Sequence, residues 1–185
     1  VEGNWSFDGK QRQMGCQICQ PKKADDTGVE RLGLWSWYHG NGKPERVATF
    51  EQGKLNGQWE RFFDNGTSMM TGRYQDNLAQ GKWGGQYRSG TPRFKGQYLE
   101  GKPEGLWQTF HANGAPSVQG GHTAGKREGS WQWLNPEGQI VQQGRYRAGL
   151  REGQWKRSHP NGQTAELGQY VTGQRSGQWE WLAED

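Results

Sequence analysis

The sequence is poor in hydrophobic residues, and those it has never form a long run. Only 30% of its 185 residues are hydrophobic, and the mean hydropathy is −1.17. No apolar stretch approaches the roughly 18 residues that a membrane-spanning helix requires, and no apolar residues recur with the period of an amphipathic helix. The sequence therefore predicts neither a membrane span nor helices, and composition alone would favour a disordered chain.

The chain also lacks an excess of charge of one sign. Its 23 Lys and Arg residues stand against 19 Asp and Glu residues, which gives a formal charge of +4, and the two signs are interspersed. This balance favours solubility and weak attraction of anions rather than nucleic-acid binding. No basic cluster of the kind that attracts lipid headgroups stands out, so we expect no direct membrane insertion.

Glycine and the aromatic residues are abundant instead. The chain has 31 Gly, 11 Trp, 6 Tyr and 6 Phe. The tripeptide Gly-x-Trp recurs every 24 residues, and a constant period of about 20 to 50 residues is typical of stacked repeat proteins. The Trp residues of this motif are Trp35, Trp59, Trp83, Trp107, Trp131, Trp155 and Trp179. The period predicts one ordered repeat domain with a thin aromatic core.

Each repeat contains two turn signals. An Asn-Gly pair, as at Asn65-Gly66, is the strongest short-range hairpin signal and suits a turn whose central residues need positive φ. A second turn contains a glycine, as at Gly101, or once Asn77, and both residue types tolerate the left-handed conformation. The segments between turns have strand length, so each repeat reads as two antiparallel strands and the predicted fold class is all-β.

Alternation of side chains along a strand assigns the aromatic residues to one face. Met70, Gly72 and Tyr74 share a face, and Gly72 leaves room there for a neighbouring Trp ring. We expect the seven repeat Trp residues and the Tyr residues of this column to form the core. These Tyr residues are Tyr74, Tyr98, Tyr146 and Tyr170.

The run Gly-x-Tyr-x-x-Gly-x-x-x-Gly-x-Trp-x-x-x-x-x-Asn-Gly, seen from Gly96 to Gly114, resembles the MORN repeat in the bacterial variant often associated with toxin–antitoxin systems. The resemblance covers residues 33–185. It implies a single-layer, elongated antiparallel sheet of stacked β-hairpins, used as a scaffold or protein-binding surface. It implies no active site.

The repeat pattern divides the chain into three predicted parts. Residues 1–32 read as a degenerate capping repeat with a nine-residue insertion, residues 33–176 as six repeats, and residues 177–185 as a half-repeat with an acidic tail. The insertion contains the only two cysteines, Cys16 and Cys19.

These cysteines form a C-x-x-C motif with three interpretations. We favour a small structural disulfide over half of a metal site or a redox pair. No other Cys is present to complete a zinc site, and no helix N-terminus is predicted that would lower a thiol pKa. A disulfide fits an oxidising compartment, so we expect an extracytoplasmic location, periplasmic or secreted, in a bacterium.

No catalytic or metal-binding arrangement is visible in the sequence. His39, His111 and His159 share a column beside the Asn-Gly turn. Because equivalent residues two repeats apart are too distant to share a metal ion, we interpret these histidines as solvated turn residues. The Glu residues that recur near the second turn, such as Glu152, are interpreted as a solvated face. We predict no enzyme, no metal site and no cofactor.

Three Trp residues lie outside the shared columns, two positions after a repeat Trp. Trp37, Trp133 and Trp181 recur irregularly, so packing alone does not demand them, and we expect them to form an exposed binding surface. The sequence thus favours a non-catalytic scaffold that binds another protein within a larger assembly. The alternatives are a module that binds glycan or peptidoglycan on rows of Trp and Tyr, and an immunity or antitoxin-like binding protein.

Overall fold

The computed structural model describes residues 31–184 and the backbone of two short strands nearer the N-terminus. Cys16 and Cys19 lie outside the described residues, so their disulfide stays a prediction. Every regular element of the described residues is a β-strand. The strands are β1 (Asn4–Phe7), β2 (Gln11–Met14), β3 (Gly33–Tyr38), β4 (Pro44–Glu51), β5 (Lys54–Phe62), β6 (Ser68–Gln75), β7 (Leu78–Gln86), β8 (Pro92–Leu99), β9 (Lys102–Phe110), β10 (Pro116–Thr123), β11 (Lys126–Leu134), β12 (Ile140–Arg147), β13 (Leu150–Ser158), β14 (Thr164–Val171) and β15 (Gln174–Trp181).

The strands fall into two units, residues 1–90 with β1 to β7 and residues 91–185 with β8 to β15. Within each unit, every strand pairs antiparallel with the next strand along the chain. The predicted all-β fold of stacked hairpin repeats is therefore confirmed. The described part of the chain contains no helix with the length and apolar character needed to cross a bilayer. The three-part division of the chain stays a prediction.

The Asn-Gly turn is a type I turn followed by a bulge, so the prediction that both central residues have positive φ is wrong. Between β3 and β4, the amide of Gly42 donates to the carbonyl of His39 over 2.9 Å, and the amide of His39 donates to the carbonyl of Lys43 over 2.8 Å. Gly42 has a φ of 82°, whereas Asn41 stays outside the left-handed region. This is a three-residue hairpin loop, in which Asn41 Oδ1 accepts from the amide of Lys43 over 3.0 Å.

The second turn is a two-residue type I′ turn. Between β4 and β5, Gln52 and Gly53 have φ values of 48° and 75°, and Glu51 pairs with Lys54 across the turn. Both central residues of this turn type need positive φ, which Gly and Asn tolerate and which strains other residues. The glycine predicted at this turn is confirmed, and the strain falls on the residue before it.

Two kinds of glycine maintain the repeat. Gly153, from a Gly-x-Trp motif, has a φ of 68° and lies where the register between β12 and β13 shifts. Gly144 lies beneath the ring of Trp155, and a Cβ atom there would stand 2.1 Å from Trp155 Cδ2. The predicted packing of Trp over glycine is confirmed. The other glycines that lie beneath a repeat Trp are Gly72, Gly96, Gly120 and Gly168.

The core is a thin layer of rings on one face of each sheet. One buried cluster in residues 91–185 surrounds Trp155, and another in residues 1–90 surrounds Ala48. The predicted core residues that are buried are Trp83, Trp131, Trp155, Tyr146 and Tyr170. Those that are half-buried are Trp35, Trp59, Trp107, Trp179, Tyr74 and Tyr98. A sheet with one covered face can bury such rings only partly, since each ring is covered by its neighbours alone.

Candidate binding face

We call the side of each sheet that carries the repeat Trp and Tyr rings the aromatic face. In residues 91–185, the Trp155 ring stands between two Tyr rings, 5.1 Å from Tyr146 at 89° and 5.9 Å from Tyr170 at 76°, measured between centroids and between planes. This edge-to-face geometry is the favourable one for aromatic pairs. The alternation follows from the 24-residue period, because each repeat adds one Trp and one residue of the Tyr column to the same face, with His122 in place of Tyr in one repeat.

A row of arginines covers these rings. Arg127, Arg151 and Arg175 hold equivalent positions in successive repeats, and their Cζ atoms lie 4.5, 4.4 and 4.3 Å from the ring of the repeat Trp four residues later. Arg127 Nη1 also donates to the hydroxyl of Tyr146 over 2.9 Å, and Arg151 Nη1 to that of Tyr170 over 2.8 Å. Ring contact and hydrogen bond together fix the orientation of Arg127 and Arg151.

The contacts between arginine and tyrosine shift pKa values in opposite directions. Burial acts to lower the pKa of Arg151, but hydrogen bonds to Tyr146 and Tyr170 outweigh it and raise that pKa. Burial acts to raise the pKa of Tyr170, but hydrogen bonds from Arg175 and Arg151 outweigh it and lower that pKa. The guanidinium group of Arg151 therefore stays charged within the aromatic layer.

A cleft of about 410 Å³ opens on the aromatic face, lined by residues of β12 to β15. Arg151, Arg157 and Arg175 line it, and so does Glu166. Glu166 Oε1 accepts from Arg175 Nη2 over 2.6 Å, and Glu166 Oε2 lies 3.3 Å from Arg157 Nε. Within residues 31–184, Arg151 forms no ion pair with a carboxylate. The cleft thus contains more guanidinium groups than carboxylates.

Trp37 does not belong to an exposed surface, and the prediction of exposure is wrong for it. The residue is only 7% exposed. Its ring lies 6.3 Å from the rings of Trp35 and Phe50, between centroids. Arg46 covers it, with Cζ 3.9 Å from the ring centroid. Trp37 is a core residue because its neighbours on β3 and β4 enclose it.

The other two Trp residues of the predicted surface differ from Trp37. Trp133 is half-buried and packs against the buried cluster, with its ring centroid 5.8 Å from that of Trp155. Trp181 is 62% exposed and lines the cleft. The predicted surface therefore reduces to Trp181 and the accessible part of Trp133.

The histidines beside the Asn-Gly turn, interpreted as solvated turn residues, are half-buried and also contact the following repeat. The Nε2 atoms of His39, His111 and His159 lie 3.1, 2.8 and 2.7 Å from a carbonyl oxygen 23 positions later. Asn41 and Asn113 donate from Nδ2 to carbonyls at the same separation, over 2.7 and 2.9 Å. Polar residues that recur with the repeat period are the signal that indicates such contacts.

The Glu residues near the second turn, interpreted as a solvated face, also bind the following repeat through exposed hydrogen bonds. Oε2 of Glu104 accepts from the amide of Ala124 over 2.7 Å, and that of Glu152 from the amide of Thr172 over 2.9 Å. Glu128 makes the equivalent bond. The amides belong to strained positive-φ residues of type I′ turns, so these carboxylates stabilise the turns.

The family model of the MORN repeat variant matches the chain at residues 31–52 and 151–171. The second match includes Arg151, Glu166 and Tyr170 of the cleft. No match was found among curated proteins. MORN repeats are generally modules that bind proteins or membranes, and they are typically non-catalytic. The two matches and the hairpin sheets confirm the resemblance: the chain is similar to the MORN repeat variant at these two places, and its strands are arranged consistently with MORN-like repeats.

Proposed function

We propose that the protein is a non-catalytic scaffold that binds another protein through the aromatic face of residues 91–185. The observation that carries this proposal is the cleft, where Arg151, Arg175 and Trp181 present cationic and aromatic groups side by side. Trp and Arg are enriched among the residues that dominate the binding energy of protein interfaces. An exposed ring beside charged groups is typical of an interaction site.

The lining of the cleft supports binding rather than catalysis. The described residues that line it include no His, Ser or Cys, the residue types that form the common Ser–His and Cys–His pairs of nucleophile and base. Elsewhere in the described ranges, no group of three or more His, Cys, Asp or Glu side chains is placed to hold a metal ion. The chemistry available in the cleft is ion pairing, hydrogen bonding and packing on rings.

Capture of partners from the native host tests the proposal with the intact chain and two variants. Trp181→Ala removes an exposed ring from the aromatic face. Leu106→Ala is the matched control, because Leu106 is 61% exposed and, as the strand neighbour of Trp107, points to the opposite face. We expect one protein to be enriched by the intact chain and by Leu106→Ala, and its recovery to fall by about tenfold or more with Trp181→Ala. Equal recovery with both variants, or no enriched protein, would contradict the proposal.

Glycan binding is the second candidate function, and the exposure of Trp181 is the observation that favours it. A ring that is 62% exposed offers a face to a sugar, whereas Trp131 and Trp155 are only 4% and 3% exposed. Peptidoglycan fragments should then quench Trp fluorescence in the intact chain and not in Trp181→Ala. An unchanged spectrum in the intact chain would remove this candidate.

We also propose an extracytoplasmic location, with Cys16 and Cys19 joined as a disulfide. The support is the C-x-x-C spacing in a chain with two cysteines. Thiols counted under denaturing conditions, in protein from the native host, should number zero, and two reactive thiols would contradict the disulfide. An immunity or antitoxin-like role is one form of the protein-binding proposal and rests on the resemblance alone.

A further inference from the structure

The cleft already holds one carboxylate, that of Glu166, between two arginines. Its oxygens lie 2.6 Å from Arg175 Nη2 and 3.3 Å from Arg157 Nε. The side chain of Glu166 is 15% exposed, whereas those of Arg157 and Arg175 are 58% and 52% exposed. A carboxylate therefore enters this layer with both oxygens near guanidinium groups, which is the strong form of such a contact.

One repeat earlier, the equivalent arginine has no carboxylate partner among residues 31–184. Arg151 stands 24 positions before Arg175, but the residue 24 positions before Glu166 is Gln142, which is neutral. Arg151 is nevertheless held in place, with Cζ 4.4 Å from the Trp155 ring and Nη1 2.8 Å from the Tyr170 hydroxyl. A charged donor that is fixed before the ligand arrives loses little conformational entropy on binding.

The cleft as a whole has an excess of positive charge beside an exposed ring. Three arginines line it, Arg151, Arg157 and Arg175, together with the single carboxylate of Glu166. Trp181, 62% exposed, forms part of the same wall. The complementary ligand therefore carries an anionic group next to an apolar or aromatic one.

We propose that the cleft binds an acidic segment of a partner protein, with a carboxylate side chain paired to Arg151 and an adjacent aromatic side chain packed on Trp181. This inference rests on the proposed protein-binding function and adds the chemistry of the partner. Glu166 occupies the neighbouring arginines as an internal carboxylate and competes with the segment for them. Removal of its charge should therefore strengthen binding.

A titration with two short peptides tests the site on the full-length chain. The probe is acetyl-Gly-Glu-Phe-Glu-Gly-amide, and its control has Gln in place of both Glu residues. The readout is the ¹⁵N NMR shift of the indole N–H groups of Trp155, Trp179 and Trp181. We expect the acidic probe to shift these signals with an affinity about tenfold or more above that of the neutral control, and less so at high salt.

Three variants separate the site from general attraction of charge. Arg151→Gln should weaken binding of the acidic probe by about tenfold, whereas Arg145→Gln should leave it unchanged. Arg145 is the matched control, because it is exposed and, next to Tyr146 on β12, points to the opposite face. Glu166→Gln should tighten binding by about threefold to tenfold, a gain that a misfolded variant cannot produce.

Several results would overturn the inference. Equal effects of Arg151→Gln and Arg145→Gln on the affinity for the acidic probe would overturn it. An unchanged affinity of Glu166→Gln for the probe would do the same. Acetate or inorganic phosphate that binds as tightly as the probe, with the same dependence on Arg151, would show a site for free anions and not for a protein segment.

The inference and the proposed function fail in different ways. If the probe binds as expected but the recovery of partners is the same with Trp181→Ala as with the intact chain, the site is supported and the proposed function is wrong. If recovery of a partner depends on Trp181 but neither Arg151→Gln nor Glu166→Gln changes the affinity for the probe, the proposed function is supported and the inference is wrong.

Discussion

Strands β3 to β5 and strands β11 to β13 contribute equivalent positions to the aromatic face but fill them differently. The equivalent residues, 96 positions apart, are Ala48 and Gly144, Phe50 and Tyr146, and Leu55 and Arg151. In the earlier strands, apolar side chains hold these three positions, and Trp37, covered by Arg31 and Arg46, is only 7% exposed. In the later strands, hydroxyl and guanidinium groups join the rings. The same backbone thus accepts apolar side chains at the positions of Phe50 and Leu55, and a hydroxyl and a guanidinium group at the equivalent positions of Tyr146 and Arg151.

The largest expected effect comes from exchanging the small residue beneath the repeat Trp. Gly144→Ala should lower the free energy of unfolding by about 3 kcal/mol, since the new Cβ would stand 2.1 Å from Trp155 Cδ2 and overpacking of this kind forces rings from their positions. Ala48→Gly, at the equivalent position, should lower the free energy of unfolding by only about 1 kcal/mol, because the unfolded chain gains backbone freedom and a buried methyl group is lost. Urea denaturation followed by Trp fluorescence measures both changes.

A similar cost for the two substitutions would contradict the contrast between the two regions. Gly144→Ser serves as a further check, because a side chain of any kind should meet the ring of Trp155. A variant that lost less than about 1 kcal/mol would show that the ring moves freely, and the glycine column would then need another explanation.

Loss of a hydroxyl should distinguish the regions next. Tyr146→Phe removes the acceptor 2.9 Å from Arg127 Nη1 and should lower the free energy of unfolding by about 1 to 2 kcal/mol, discounted for the solvent that reaches the arginines. Phe50→Tyr adds a hydroxyl near Arg31, which holds the position equivalent to Arg127 and whose Cζ lies 5.4 Å from the centroid of the Phe50 ring, so we expect a gain in the free energy of unfolding of at most about 1 kcal/mol. Changes of the same sign in the two urea midpoints would show that the hydroxyl does not stabilise this layer.

The sequence predicts the frame because the frame repeats. The 24-residue period, the hairpins and the Gly72 that lies beneath Trp83 all follow from residues that recur at every step. Burial of Trp37 could not be predicted, because it depends on Arg46, a residue of the next strand that breaks the pattern. The contact of His39 with a carbonyl of the next repeat depends on how hairpins lie side by side, which spacing along the chain does not specify.

The sequence does not predict the cleft, for the same reason. Arg127, Arg151 and Arg175 recur at the period, but charged residues near turns are usually solvated, and the sequence gives no sign that their guanidinium groups lie over Trp rings. Only the register of β13 to β15 brings Glu166 to Arg157 and Arg175. A periodic charge on the face that carries periodic rings is the signal that points to such a site.

Strain at the type I′ turns offers a smaller comparison. Thr172 has a φ of 49° and Gln52 a φ of 48°, but a β-branched side chain tolerates this conformation less well. Thr172→Gly should raise the free energy of unfolding by about 1 kcal/mol, and Gln52→Gly by less. The backbone amide of residue 172 that donates to Glu152 remains in Thr172→Gly, so the hydrogen bond is the same in the intact chain and in the variant. A loss of thermal stability in Thr172→Gly would contradict the assignment of strain.

The smallest expected effect concerns His122, which takes the place of Tyr in the aromatic column. Burial, and secondly the charge of Arg127, lower the pKa of His122 below its ordinary value of 6.5. The buried Nδ1 has no hydrogen-bond partner among the described residues. Below pH 6.5 the unfolded chain then binds more protons than the folded chain, so the contribution of His122 to stability is present above that pH and is lost as the pH falls through the folded pKa.

His122→Tyr restores the column residue and removes this titration. Urea midpoints measured from pH 8 to pH 5, a range of about three units around the ordinary His pKa, should fall more steeply with acid in the intact chain than in the variant. The substitution leaves every other residue unchanged, so the difference between the two curves belongs to position 122. Parallel curves would mean that the ring binds a proton as readily when folded as when unfolded. A polar ring in this layer would then carry no penalty for its charge, and the later strands would tolerate a cation between Trp107 and Trp131 as they tolerate Arg151 over Trp155.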